Sequence, residues 1–149
     1  MPARLTRAII KTLDRLARGT LPSEDTPEHK RTSRCGEEDA YFYLRQLGYV
    51  IVARNFRSLR RKGEIDLIGW DAEVLCFVEV KTRTSHEIKP AEAAVDQAKR
   101  QELGLVAREY LRRMSLSCQW RFGVVSVYYE DHQTCHPEIE LFKNAFSVS

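Results

Sequence analysis

The chain predicts an α/β fold in the order αβββαβ(β), a mixed β-sheet flanked by helices, preceded by a basic extension. Three observations point there. Apolar runs of strand length recur around residues 49–53, 63–69, 74–82 and 120–129, and two stretches with helical spacing separate them. The run Val74-Leu75-Cys76-Phe77-Val78-Glu79-Val80-Lys81 is apolar at both parities, as in a strand buried on both faces. That same run carries Glu79 and Lys81, which alternation points to one face. A buried ion costs roughly several kcal/mol unless it is paired or binds a metal. This acid and amine therefore need a reason.

The elements follow in order. Residues 1–18 form a basic amphipathic pattern, with Leu5, Ile9, Leu13 and Leu16 near one face. Residues 19–34, with Gly19, Pro22 and Pro27, read as a polar linker. The sequence thus divides into an extension, 1–34, and a domain, 35–149. A first core helix is expected from about Gly36 to Leu47, with Glu37, Ala40, Leu44 and Leu47 on one side and Gly48 at the C′ position. Strand one is Tyr49 to Ala53, and a basic loop leads to the hairpin 63–69/74–82. Pro90 opens a second helix to about Arg113, packing through Ala94, Val95, Ala98, Leu105, Val106 and Leu111. Trp120–Tyr129 and a short strand near Ile139–Phe142 complete the sheet.

Glu79 and Lys81 admit three explanations: a charged strand end, a metal-dependent hydrolytic site, or a surface for an anionic partner. Asp66 favours the second. With a turn centred between Asp71 and Ala72, Asp66 opposes Phe77 and lies diagonal to Glu79, about 7–8 Å away at the backbone. A one-residue slip would send Asp66 to the other face, so the site requires an odd pairing register. Two carboxylates suit a hard ion such as Mg²⁺ or Mn²⁺, which keeps several waters. Such an ion lowers the pKa of a water and neutralises charge on a phosphate. Lys81 would act as a point charge near the attacking water or the phosphoryl oxygens. This is equipment for phosphodiester hydrolysis.

The order Gly63-Glu64-Ile65-Asp66-Leu67-Ile68, then Phe77-Val78-Glu79-Val80-Lys81-Thr82-Arg83, resembles the PD-(D/E)XK nuclease superfamily. More narrowly it resembles the YraN-like family of small bacterial proteins. The likeness covers roughly residues 35 to 146. It includes Gly36-Glu37, Ala53-Arg54-Asn55-Phe56-Arg57, a Val95 … Lys99-Arg100 helix, Arg121-Phe122-x-Val124-Val125 and Asn144-Ala145-Phe146. The resemblance implies a restriction-endonuclease-like core and a metal-dependent endonuclease acting on DNA, branched or otherwise structured. Asp66 and Glu79 would then bind the metal with the Val80 carbonyl, Lys81 would act on the water, and Glu37, from the first helix, would complete the catalytic set. Capping of the helix N-terminus is the other reading of Glu37. Where the family commonly has an acid after Arg121-Phe122 this chain has Gly123, which weakens any role for that strand. Enzymes of this fold class on branched DNA are often dimers, so a homodimer is admitted by analogy.

Charge adds little by its total, +3, and more by its placement. Arg54, Arg57, Arg60, Arg61 and Lys62 fall together without an acid and could hold phosphates beside the site; Arg83, Lys99 and Arg100 are further candidates. A solvated basic face is the plainer reading of all of them. No apolar run reaches the ~20 residues a bilayer requires, and no signal peptide is recognisable, so a cytoplasmic protein is expected. The cysteines Cys35, Cys76, Cys118 and Cys135 form no Cys-x-x-Cys pair and suit a reducing compartment. His132 to His136 lacks a fourth zinc ligand at proper spacing. The alternative function is a nucleic-acid-binding adaptor that keeps the fold without turnover. A third is an interaction domain docking through its extension.

Overall fold

The computed structural model describes residues 28–83, 95–130 and 136–148. The expected helix over 1–18, Pro90 and the His132–Cys135 segment lie outside them. The elements are α1 (Glu28–Gln46), β1 (Val50–Arg57), β2 (Glu64–Asp71), β3 (Val74–Arg83), α2 (Gln97–Arg113), β4 (Trp120–Tyr128) and β5 (Glu138–Lys143). They form one five-stranded sheet in the order β1-β2-β3-β4-β5. Only β3 and β4 run parallel, joined through α2; the other neighbours are antiparallel. The mixed α/β architecture is the one expected, consistent with a restriction-endonuclease-like core. The compact unit holding the sheet begins at Ser33.

Two apolar layers sandwich the sheet. On one face Ile68, Leu75, Phe77, Phe122 and Val124 pack with Leu103, Val106, Ala107 and Tyr110 of α2. On the other, Leu67, Cys76, Val78, Val80, Val125 and Val127 pack with Ala40 and Leu44 of α1. Both parities of β3 are therefore buried, which is why its sequence does not alternate.

Several boundaries differ from expectation. Helix α1 begins at Glu28 rather than Gly36, because the run from Glu28 to Arg34 holds no glycine or proline to stop it. Gly36 is instead a close-approach glycine: a Cβ there would collide with Thr82 Oγ1 of β3. Leu47 falls past the helix end and is 50% exposed. Gly48 takes φ 94 and turns the chain, with Tyr49 N–H donating to Leu44 O. Helix α2 starts at Gln97, where Asp96 caps it by accepting from Lys99 N–H at 2.8 Å. Its buried face is Leu103, Gly104, Val106, Ala107 and Tyr110, whereas Ala98 and Leu105 are exposed. Strand β1 runs on to Arg57, so Arg54 and Arg57 are strand residues and only residues 58–63 form the basic loop. Glu109 of α2 anchors that loop through the Ser58 hydroxyl and the Leu59 N–H.

At one end of the sheet Asp71 accepts hydrogen bonds from Tyr49, Arg121 and Lys143, which ties the ends of β2, β4 and β5 together. The Lys143 hydrogen bond leads in holding the Asp71 carboxyl below its usual range. Among the described residues no helix is long and apolar enough to cross a membrane.

Candidate active site

Register decides the site. The β2–β3 hairpin turns one residue later than expected, at Ala72-Glu73, with Asp71 paired to Val74 and φ 52 at Ala72. The register is odd: Ile68 opposes Phe77 and Leu67 opposes Val78. Carried one step past the last pair, that register would set Asp66 against Glu79 rather than diagonal to it. The ladder stops at Leu67–Val78, although both strands continue. In the gap beyond, the Asp66 carboxylate takes the place of a ladder partner and accepts the Val80 N–H at 2.7 Å. The N–H and C=O of one strand residue point to the same side. The Val80 carbonyl therefore faces that gap too.

Glu79 lies inside β3, which remains paired with β4 to Arg83, so it is not a strand end opening to water. Its side chain is 8% exposed, and Lys81 Nζ reaches its Oε1 at 3.0 Å with 30% exposure. Among the described residues the buried polar side chains are Glu79 and Ser126, and Asp66 is half-buried. Glu79 and Ser126 occupy neighbouring strands, Ser126 beside Lys81 on the α2 face. Ser126 was not singled out in the sequence, where its only signal is one hydroxyl inside Val124-Val125-Ser126-Val127.

The electrostatics follow from this packing. The Asp66 carboxyl is pushed up to about 8, first by burial and then by the Glu79 charge, with Glu37 adding to the rise. The Val80 N–H and Lys81 oppose it. Helix α1 crosses β3 at Gly36 and Thr82, which brings Glu37, its next residue, within electrostatic reach of Asp66. Glu37, Asp66, Glu79 and Lys81 thus share one locality.

A hard divalent cation fits this donor set: two carboxylates and one backbone carbonyl around a gap where burial, and then the Glu79 charge, push the Asp66 carboxyl up. Among the described residues no three His, Cys, Asp or Glu side chains converge into a metal cage. The site suits an ion that keeps most of its waters.

The basic candidates divide. Arg54 stacks on Tyr41 of α1, its guanidinium 4.5 Å from the ring centroid. Arg57 pairs with Glu64 at 2.8 Å. Arg60, Arg61 and Lys62 are exposed on the loop after β1, where Ser58 Oγ accepts the Arg60 and Arg61 N–H groups. Arg83 ends β3 on the Glu79–Lys81 side. The parallel crossover makes α2 run back along the sheet, so its first turn, with Lys99, lies toward the C-terminal end of β3. Arg100 folds back, donating from Nε to Val95 O at 2.8 Å and resting on Phe146.

Comparison with known proteins identifies the family. The model of the uncharacterised protein family UPF0102 matches residues 36–127, from the Gly36-Glu37 pair of α1 to the end of β4. The chain is 52% identical over 144 residues to a UPF0102 protein of Koribacter versatilis, covering 97% of this chain and 96% of that one. It is 42% identical over 139 residues to one from Solibacter usitatus, covering 93% and 97%. A relative from Geotalea uraniireducens is 38% identical over 128 residues, covering 85% and 98%. The matched span holds Glu37, Asp66, Glu79 and Lys81 together, and the chain belongs to the YraN-like family UPF0102.

Proposed function

We propose that this protein is a metal-dependent endonuclease that hydrolyses DNA phosphodiester bonds, with branched or structured DNA as the favoured substrate. The observation that carries the reading is the gap between β2 and β3. There Asp66, Glu79 and the Val80 carbonyl converge beside Lys81 in an otherwise apolar sheet.

In this reading Asp66, Glu79 and the Val80 carbonyl hold Mg²⁺ or Mn²⁺, which supplies charge neutralisation at the phosphate and a more acidic water. Lys81, fixed against Glu79, places its ammonium where a water or a phosphoryl oxygen carries negative charge. Glu37 orients water from the α1 side. Arg60, Arg61 and Lys62 supply exposed charge for phosphates flanking the cut, and Lys99 and Arg83 border the site at the end of β3. Water adds to phosphorus, a P–O ester bond breaks, and the leaving oxygen takes a proton.

The adaptor reading draws on the lack of a three-side-chain metal cage among the described residues. One experiment separates the two. Linear, flapped and four-way-junction DNA are incubated with Mg²⁺ or Mn²⁺ and wild-type, Asp66→Ala or Lys81→Ala protein. Metal-dependent cleavage lost in both variants supports the enzyme. Equal cleavage by all three marks a contaminant and removes the enzyme claim. Metal-independent binding without cleavage favours the adaptor.

A further inference from the structure

Asn55 is a non-glycine residue with φ 51 inside a β-strand. It sits between the pairs Arg54–Leu67 and Phe56–Ile65, so in register it stands against Asp66. The two strands change face at this row. Before it, Arg54 stacks on Tyr41 of α1 and Leu67 packs in the α1 layer. After it, Phe56 meets Tyr110 of α2 edge-on, and Ile65 packs in the α2 layer. Residues two apart in a regular strand share a face. Arg54 and Phe56 do not, and neither do Leu67 and Ile65.

Strand β3 keeps its alternation past the same level, with Val78 and Val80 both in the α1 layer. So β1 and β2 roll together while β3 does not, and the β2–β3 ladder ends there. The gap opens at the same row, and there Asp66 accepts the Val80 N–H of the neighbouring strand. Left-handed backbone is the local means of such a roll, and asparagine and glycine tolerate it best.

We propose that Asn55 is a positioning residue whose left-handed backbone rolls the β1–β2 pair and so aims the Asp66 carboxylate into the β2–β3 gap. The proposal assigns the effect to backbone conformation, not to the carboxamide. It rests on the metal-site reading only for its consequence, since the Asp66–Val80 hydrogen bond is measurable without metal.

The test uses full-length Asn55→Gly, Asn55→Ala and Asn55→Val proteins. Glycine keeps the left-handed backbone and deletes the side chain, whereas alanine and valine resist that backbone in increasing order. The readouts are Val80 amide exchange relative to the β4 amides, Mn²⁺ affinity by calorimetry, and DNA cleavage. Asn55→Gly should match wild type within about twofold in all three. Asn55→Val should lose at least about tenfold in Val80 protection beyond any change in β4, with a parallel loss in Mn²⁺ affinity. Asn55→Ala should fall between, and carries the test if the valine protein does not fold. Equal loss in Asn55→Gly and Asn55→Ala would overturn the proposal in favour of the carboxamide. Unchanged Val80 protection in both Asn55→Ala and Asn55→Val would overturn it outright. Failure of wild type to bind Mn²⁺ would overturn the metal-site reading, while the exchange data still decide the role of Asn55.

Discussion

Replacing Asp66 with asparagine should remove a pH dependence of stability that wild type shows. In the folded protein the Asp66 carboxyl ionises near 8, against 3.8 for an ordinary aspartate. Between those values the folded state holds a proton that the unfolded chain has released. Stability therefore falls as pH rises, by about 1.4 kcal/mol per unit for one fully differential proton. From pH 6 to pH 8 the loss should be about 2 kcal/mol, levelling off above the folded pKa. The substituted carboxamide cannot ionise, yet its oxygen can still accept the Val80 N–H. Urea unfolding at half-unit steps from pH 6 to 9 measures both proteins. The downward slope should be present in wild type and absent in Asp66→Asn. Equal slopes in the two, or stability rising across this range in wild type, would refute the placement of Asp66 in a half-buried gap beside the Glu79 charge.

Excess Mn²⁺ should flatten that wild-type slope, because a bound cation favours the carboxylate. It should also raise the melting temperature of wild type but not of Asp66→Ala. Gly36→Val should destabilise by about 1–3 kcal/mol through the clash with Thr82, read by urea midpoint; an unchanged midpoint would mean that α1 does not cross β3 there. Leu103→Ala should cost about 2–5 kcal/mol and Leu105→Ala under about 0.5, since the first is 1% exposed and the second 38%. Asp71→Ala should cost about 1 kcal/mol after solvent screening. That contribution, present above the ordinary aspartate pKa, should fade as pH drops through the lowered value, so the two proteins should converge in acid.

Much of this was legible in the chain because period and burial leave marks in sequence. The two-sided apolar pattern of β3 predicted a central strand, and Glu79 and Lys81 stood out against it. The site required an odd register and has one, although the turn falls one residue later, since Asp71 pairs with Val74. Helix limits were less legible. Gly36 read as a start, but its small size serves packing against β3, a tertiary requirement that looks the same in sequence. Leu105 read as core because it is apolar, yet the face of α2 was set by which residues meet the sheet. Arg54 and Arg57 read as loop charges because arginine does not mark a strand, and Tyr41 and Glu64 engage them only in the fold.

By itself the sequence determined the element order, the family, and the identity of the acids and the lysine in the candidate site. Each depends on residue type at short spacing. Only the tertiary structure decided that β2 leaves β3 at Leu67–Val78, that Asp66 turns into the resulting gap, and that Asn55 stands beside it with a left-handed backbone. The reason is physical. Alternation along one strand is a local property, whereas the end of one ladder and the change of face in the next appear only when β1, β2 and β3 lie side by side between α1 and α2.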